Sequence, residues 1–566
     1  MPPFRRALLL AAGAGSRLGP ITAAAPKPML RVRGKPVLDR HLEQLAAAGV
    51  TDVWINLHHQ GDVIRHHCGD GRRWGLRIRY SGEPALLGSS GALKQLEREF
   101  AGSGFFVVYG DNVAACDYRA LAAAHRPDAL LTIALCHSDD VSSSGIAELD
   151  PGGRVLRFVE KPAPGAEFSH WVNAGIYAAS PDLLPLLPAG PSDFGRDVIP
   201  RLLELGCHVG GFLLPAPVAG IDTPEMLATA DVLQVALIGA GRMGERRAAA
   251  ARDAGSRVLW VVDPLPARAQ AVAQSCAAQP SAEWQTAVAD PQVDCVIVST
   301  PNHLLAPIAA AAVSARKHVL VEKPAARTAA ELEPLLAAAE QAGVIFKAGF
   351  SYRFHPAICR AWQLLRSGEI GRLLHLVARH GHGGRAGLET EWRADPELAG
   401  GGELLDQGIH LLDLFRWFTA EEITRVQALV TTEFWPIRPL EDTAFCLLQT
   451  ASGIPCSLLV SLTEWQNRFE FELTGERGAL RIQGLGGSYG PERLTIVRRP
   501  DGFGVPTTDT EVWEDSGQCW AGEWAEFTAA VRENRPPLGD ARDSLAALRL
   551  VEACYQSARQ RRTVEC

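Results

Sequence analysis

No stretch of the 566-residue sequence reaches the roughly 18 uninterrupted apolar residues of a membrane-spanning helix, so no such helix is expected. The twelve cysteines contain no CxxC pair, and neither a disulfide framework nor a zinc site is expected from them. Basic residues are not in excess. Fifty-six Lys and Arg stand against 64 Asp and Glu, a net charge of −8, which leaves no electrostatic footprint for nucleic acid or an anionic membrane. The opening Met1-Pro2-Pro3-Phe4-Arg5-Arg6 has the basic start of a secretory leader. The apolar run behind it, Ala7 to Ala12, is only about half as long as a leader needs, and it enters a glycine turn instead of a cleavage site. A reducing, cytoplasmic setting is the expectation. His58-His59, His66-His67 and His380-x-His382 lack carboxylate or cysteine partners at metal spacing and read as surface or loop residues.

Glycine, by contrast, is present in informative places. A buried strand, a glycine-rich turn and a helix follow one another twice, at Arg6 to Leu18 and again at Gln234 to Arg252, and each succession opens a nucleotide-binding α/β fold. Cores stop growing at about 250–300 residues, so the second start marks a second fold. Between the two, Val53 to Leu57, Phe105 to Tyr109 and Leu130 to Leu135 read as strands, alternating with helical stretches such as Asp39 to Ala48 and Gly91 to Phe100. That alternation predicts α/β architecture, Rossmann-like, with a mostly parallel sheet. Beyond Leu373 longer strands follow without helices between them: Leu373 to Arg379, Ile423 to Thr432, Thr443 to Gln449, Pro455 to Leu462 and Phe469 to Thr474. Helices from Cys519 to Glu533 and Ala541 to Arg559 then close the chain back. This predicts an α+β domain with a mostly antiparallel sheet. The expected domains are 1–232, 233–355 (a Rossmann domain) and 356–566, with almost no Gly/Ser linker at the first junction.

In the first fold, Leu10-Ala11-Ala12-Gly13-Ala14-Gly15-Ser16-Arg17-Leu18 lets backbone N–H groups approach phosphate oxygens and adds the guanidinium fork of Arg17. Pro26-Lys27-Pro28-Met29 holds a lysine in a rigid prolyl frame. These are followed, in order, by Leu87-Gly88-Ser89-Ser90-Gly91-Ala92-Leu93, Tyr109-Gly110-Asp111-Asn112, Val159-Glu160-Lys161-Pro162 and Asn173-Ala174-Gly175-Ile176-Tyr177. On these motifs residues 5 to 232 resemble the sugar-phosphate nucleotidyltransferase family. The resemblance implies in-line attack of a sugar-phosphate oxygen on the α-phosphorus of a nucleoside triphosphate, with Mg²⁺ as cofactor. It assigns Ala12, Gly13, Gly15, Arg17 and Lys27 to the triphosphate and the segment from Gly88 through Gly91 to Leu93 to the base. Glu160, Lys161, Asn173 and Gly175 would face the sugar and its phosphate, and Asp111 would hold the metal. Asp222, in Gly220-Ile221-Asp222-Thr223-Pro224, is either a second metal ligand or the cap of the helix beginning at Pro224.

In the second fold, strand Val235 to Ile238 runs into Gly239-Ala240-Gly241-Arg242-Met243-Gly244, and strand Val258 to Val262 ends in Asp263, nineteen residues past Gly244. A carboxylate at that spacing accepts from both adenosine ribose hydroxyls and repels a 2′-phosphate, so NAD is expected over NADP. Two more strand ends, Ser299-Thr300-Pro301-Asn302-His303 and Glu322-Lys323-Pro324, lie where a parallel sheet keeps its ligand crevice. With Gly400-Gly401-Gly402-Glu403-Leu404-Leu405-Asp406-Gln407-Gly408-Ile409-His410, residues 234 to 560 resemble the Gfo/Idh/MocA oxidoreductases. The resemblance implies that Lys323 holds the reacting oxygen, His410 exchanges its proton and Asp406 orients the substrate or the histidine. Asp406 and His410, four apart, are expected on one helix face, with the preceding glycines admitting substrate to the backbone. Gly239, Gly241, Arg242, Met243, Gly244, Asp263, Thr300, Asn302, His303 and Glu322 are the expected cofactor contacts. Tyr352 and Arg353 are substrate candidates. Arg316 stands where relatives carry glycine.

Together these readings predict a bifunctional enzyme of nucleotide-activated sugar, polyol or cyclitol biosynthesis. A nucleoside triphosphate and a sugar, polyol or cyclitol phosphate enter the first half, and NAD(H) serves the second. A homo-oligomer without nucleic-acid or membrane partners is expected. The rival reading makes one half a nucleotide-sensing or assembly module, and the intact Lys27, Asp111, Lys323, Asp406 and His410 argue against it.

Overall fold

The computed structural model describes residues 4–566 except 14, 143, 503, 515 and 516, so the opening Met1 to Pro3 and Ala14 of the first glycine turn lie outside the described residues. The chain divides into two compact units, Met1–Val232 and Leu233–Cys566.

The first unit is built on strand Arg6–Leu10, whose Ala7, Leu8 and Leu9 are all fully buried. A continuous apolar run of this kind suits a parallel sheet covered on both faces. It pairs in parallel with Phe105–Tyr109 on one side and with Asp52–Leu57 on the other, and Asp52–Leu57 pairs in turn with Arg77–Gly82. Past Phe105–Tyr109 the sheet turns antiparallel, through Trp171–Ala179 to Ala129–His137, Gly145–Leu149 and Val155–Glu160. The parallel half therefore carries the glycine turn and the antiparallel half carries Glu160 and Asn173. Helix Val37–Ala47 buries Leu38, Leu42 and Leu45 at helical spacing against the parallel half. The single helix expected over Gly91 to Phe100 is two, Gly88–Gln95 and Glu97–Phe100.

The second unit opens with six parallel strands in the spatial order Gln279–Ser281, Arg257–Val262, Gln234–Ile238, Cys295–Val298, His318–Val321, Phe346–Ala348. The order reverses between Gln234–Ile238 and Cys295–Val298, and such a switch point opens a crevice at the carboxyl ends of the strands. A nine-stranded sheet follows, antiparallel except where Leu373–Gly381 meets Pro455–Ser461. Along Thr443–Thr450 the residues Ala444, Cys446 and Leu448 are buried while Phe445 and Leu447 are exposed, the period-two pattern of a sheet packed on one face. Helix Ala541–Gln560 lies on strand Ile423–Thr431 and on helix Ile409–Thr419, which carries His410. Among the described residues, no helix is long and apolar enough to cross a membrane.

Candidate functional site

In the first unit the Lys27 ammonium joins two carboxylates. Its Nζ lies 2.6 Å from Asp111 Oδ2 and 2.6 Å from Asp222 Oδ1, and Arg17 reaches the same Asp222 oxygen at 2.8 Å. Lys27 is buried within the short turn Lys27–Met29, framed by Pro26 and Pro28. Asp222 does not cap the following helix: the cap is Thr223, whose hydroxyl accepts from the Met226 N–H. Burial alone would raise the Asp222 carboxyl, but the hydrogen bond and charge of Lys27, with Arg17 and Lys161 beyond it, hold it below its usual range. Around this corner Gly13 faces open space, while Gly15 takes a left-handed conformation (φ 62°) against Thr22 and Lys27.

Neighbouring parts of this site are held by residues that sequence reasoning passed over. Glu83 is buried, accepts from Asn56 Nδ2 and from the Leu87 N–H, and Asn56 in turn accepts from the Ala11 N–H. This chain ties the phosphate turn to the Gly88–Gly91 segment. A side chain at Gly88 would fall 2.5 Å from the Ser192 carbonyl oxygen, and one at Gly91 2.8 Å from that of Gly190. Both glycines thus admit a neighbouring backbone, and Ser89 Oγ donates to Asp193. Glu160 lies so close to Gly195 that a Cβ there would fall 2.2 Å from its Oε2. Burial raises its carboxyl despite Lys161 and Arg196 nearby. Asn173 donates to the Tyr177 hydroxyl and accepts from Gly175 N–H, and Gly175 (φ 69°) lies against the Tyr109 ring.

In the second unit the three turn glycines have three distinct environments. A Cβ at Gly239 would fall 2.4 Å from the Ser299 carbonyl oxygen and one at Gly244 1.9 Å from that of Gly239, whereas Gly241 faces open space. A tight turn, a close helix contact and an open approach to backbone N–H groups are the three roles of a dinucleotide turn. Asp263 lies beside it, accepting from the Ala240 and Leu265 N–H groups. Arg242 is exposed on the first turn of the helix, with Met243 half-buried beside it. Thr300 follows strand Cys295–Val298, Asn302 donates to the Ala399 carbonyl, and burial followed by Arg327 lowers the pKa of His303. Glu322 is engaged by Arg247, which also pairs with Glu523, and Glu523 pairs with the fully buried Lys347. Its carboxylate is thus held inside an ion-pair network.

The next residue, Lys323, donates from Nζ to Asp406 Oδ1 at 2.6 Å and also to the Asp406 carbonyl. Burial opposes ionisation of Asp406, yet Lys323 and Arg393 hold its carboxyl far below the usual range. The expected helix face shared by Asp406 and His410 is corrected. Leu404–Gly408 is a wider π-turn that passes into the α-helix only at Ile409, and Asp406 bonds Lys323 instead of the histidine. His410 is stacked on Tyr352, ring centroids 3.9 Å apart. Burial, then Lys323 and His380, push its pKa well below the ordinary histidine value. Its Nδ1 has no hydrogen-bond partner among the described residues.

The glycines ahead of this turn admit protein, not substrate: a Cβ at Gly401 would fall 2.5 Å from the Tyr555 hydroxyl and one at Gly402 2.1 Å from the Glu441 carbonyl oxygen. Glu441 accepts from the Gly402 and Leu404 N–H groups and from Tyr555. Arg353 is taken up by a two-bond pair with Asp413 and by Asp543. The Tyr352 hydroxyl is engaged by His380 Nε2 and Gln407. His380, read from sequence as a surface or loop residue, is 1% exposed on strand Leu373–Gly381, and burial lowers its pKa to about 3. Arg316 adopts φ 56°, the left-handed region that favours glycine.

The first site is a Lys27–Asp111–Asp222 corner beside a glycine turn in an α/β unit; the second combines a glycine turn of dinucleotide-binding geometry with a Lys323–Asp406–His410 corner. Residues 6–216 match the nucleotidyl transferase family, residues 233–350 the oxidoreductase family NAD-binding Rossmann fold, and residues 358–481 the GFO/IDH/MocA C-terminal domain. The chain therefore joins a nucleotidyl transferase family unit to a Gfo/Idh/MocA family unit. Over 216 residues it is 33% identical to a UTP–glucose-1-phosphate uridylyltransferase of Synechocystis sp., covering 36% of this chain and 56% of that protein. Over 235 residues it is 32% identical to a levoglucosan dehydrogenase of Pseudarthrobacter phenanthrenivorans, covering 39% of this chain and 59% of that protein. It thus spans little more than half the length of these curated relatives. Among solved structures, an aldose-aldose oxidoreductase from Caulobacter crescentus complexed with glycerol is similar with a TM-score of 0.53 and 28% identity, covering 59% of this chain and all of that one.

Proposed function

We propose that the chain is a bifunctional enzyme. Its first unit transfers a nucleotidyl group from a nucleoside triphosphate to a sugar, polyol or cyclitol phosphate, and its second moves hydride between NAD(H) and a carbohydrate hydroxyl or ketone. The observation that carries the first assignment is Lys27 joined to both Asp111 and Asp222 with Arg17 alongside. Mg²⁺ is ordinarily held by one or two carboxylates together with substrate phosphates and water, and two aspartates, each 32% exposed, suit that donor set. Asp111 and Asp222 would hold the ion, which supplies charge neutralisation for the triphosphate. Lys27 and Arg17 steady the phosphates as the sugar-phosphate oxygen bonds to the α-phosphorus. The α–β phosphoanhydride bond breaks and pyrophosphate departs. Glu160, Lys161, Asn173 and Gly175 line the acceptor side, and the Gly88–Gly91 segment lies toward the base.

In the second unit Lys323 donates to the reacting oxygen and Asp406 holds Lys323. His410 takes the hydroxyl proton and returns it in the reverse direction; bound NAD⁺ would accept the hydride from the carbon. Gly239, Gly241, Arg242, Met243, Gly244 and Asp263 would hold the dinucleotide, with Thr300, Asn302 and His303 at the neighbouring strand end.

The test combines a panel of nucleoside triphosphates with sugar phosphates, reading pyrophosphate release, and a panel of polyols, sugars and their phosphates, reading NADH. Lys27→Ala and Asp111→Ala are expected to lower Mg²⁺-dependent release at least about a hundredfold while leaving NADH binding intact. Release that survives both substitutions at the wild-type rate would sink the first assignment.

A further inference from the structure

The chemistry of the second unit's substrate can be read from a residue that neither Lys323 nor His410 requires. Arg393 lies in the short 3₁₀ turn Trp392–Ala394 ahead of the Asp406 turn, its guanidinium 4.4 Å from the centre of the Trp392 ring. Its Nε is 3.6 Å from Asp406 Oδ2, the oxygen opposite the one that Lys323 occupies. The other nearby carboxylate, Glu391, is 4.0 Å away and bonded through both oxygens to Arg385. Arg393 thus sits at ion-pair distances and makes no hydrogen bond among the described residues, and its side chain is 37% exposed. A guanidinium offers five donors in a planar fork, and here that fork is one carboxylate away from the catalytic lysine.

Positive charge dominates the same corner. Lys323, Arg385 and Arg393 act on it against the carboxylates of Asp406 and Glu391, which leaves one positive charge over. The third carboxyl, Glu403, is fully buried and pushed well above the carboxylate range by that burial, so it offsets little of this charge. His380, His382 and His410 are all lowered, chiefly by burial, and stay neutral at pH 7. A neutral sugar leaves such a corner uncompensated. A phosphate group brings negative charge and several acceptor oxygens that match the fork.

We propose that the oxidoreductase unit acts on a phosphate ester of a sugar or polyol, and that Arg393 receives the phosphate while Lys323 and His410 address the reacting oxygen. This rests on the oxidoreductase reading above and adds the substrate class to it. The ester is either a simple sugar or polyol phosphate or the diphosphate of a nucleotide sugar. The first is what the nucleotidyl transfer consumes and the second is what it releases, so the redox step sits immediately before or after that transfer.

The experiment uses the full chain loaded with NADH and follows nicotinamide fluorescence, which reports only the second unit's site. Glucitol is compared with glucitol 6-phosphate, glucose with glucose 1-phosphate, and both sets with UDP-glucose and GDP-mannose. At least one phosphate ester is expected to bind at least about tenfold more tightly than its parent sugar. Arg393→Met should erase that difference and leave NADH affinity within about twofold, and Arg393→Lys should retain part of it. A response confined to simple phosphates places the redox step first, and one confined to nucleotide sugars places it second; either supports the proposal. Parent sugars binding as tightly as esters, a preference that survives Arg393→Met, or no response to any ester overturns it. Failure of the wild type to bind NADH overturns the oxidoreductase reading instead.

Discussion

The imidazole of His410 lies flat on the ring of Tyr352, with centroids 3.9 Å apart and planes 4° from parallel. Stacking of this kind contributes about 0.5–1.5 kcal/mol beyond area burial, and it sets the plane of the imidazole without using either ring nitrogen. Phe350 closes on it edge-on at 6.0 Å. The orienting element is therefore an aromatic face, and Asp406 is left to hold Lys323.

Tyr352→Ala is expected to lower turnover by at least about tenfold with little change in NADH affinity. Tyr352→Phe keeps the stack and should retain most of the rate. Steady-state kinetics on a turned-over substrate, paired with NADH titration, decides. Equal losses in both variants would assign the effect to the Tyr352 hydroxyl and its bond to His380.

The oxidation rate has a pH dependence with a definite sign. In the proposed mechanism neutral His410 accepts the proton, and its pKa is held well below 6.5, first by burial and then by Lys323 and His380. Oxidation should therefore stay level as pH falls through 6.5 and decline only at lower pH. A kcat profile with its acidic midpoint at or above 6.5 contradicts this.

Asp263 should govern both cofactor choice and the shape of the turn. Asp263→Ser is expected to relax the preference for NAD over NADP. Loss of the carboxylate that accepts from Ala240 and Leu265 should also cost about 1–2 kcal/mol of stability. Calorimetry with both cofactors, alongside denaturant unfolding, separates the two effects.

His355 and Glu492 form a buried pair at 2.6 Å. Burial opposes charging of His355, but Cys519 and Glu492 outweigh it and raise its pKa to about 9. Since the folded value exceeds the unfolded one, the contribution to stability is full below about pH 6.5 and is lost as pH rises through about 9. The melting temperature of the wild type should fall between those limits, and His355→Gln should flatten that fall.

Arg247→Met should destabilise the second unit by about 3–5 kcal/mol, because it leaves the buried Glu523 and the neighbouring Glu322 short of their partner. Adding Glu523→Gln should recover part of that loss. Denaturant titration of the single and double variants measures it.

What was legible in the sequence was local. Gly239 and Gly244 announce their turn because a Cβ at either would strike a carbonyl oxygen, and strands such as Arg6–Leu10 are written as short apolar runs. The residues that hold the sites in place come from far along the chain and leave no local trace. Glu83 reaches Asn56 across the sheet, and Glu441 reaches the Gly402 turn from another loop. His380 reads as a surface histidine because the side chains that meet it, Tyr352, Phe469 and Tyr489, come from elsewhere in the chain. Arg353, beside Tyr352, invites a pocket role, but Asp413 on the His410 helix claims it. The strands Gly478–Gln483, Glu492–Arg498 and Thr507–Trp513 lie outside those legible in the sequence, the last because it is an edge strand exposed along most of its length.

The Tyr555–Glu441–Gly402 tie bears on how the protein is made. Glu441 accepts from the backbone of the turn that precedes Asp406, and Tyr555 secures Glu441 from helix Ala541–Gln560. During synthesis the first unit has all of its strands by residue 232 and can close on its own core. The Rossmann strands of the second unit can pair soon afterwards. The turn before Asp406 is completed last: until Tyr555 leaves the ribosome, Glu441 lacks its hydroxyl partner from helix Ala541–Gln560. A nascent chain arrested ahead of residue 555 would therefore carry a complete first unit and a Rossmann sheet beside a Gly402 turn whose Glu441 brace is still unanchored.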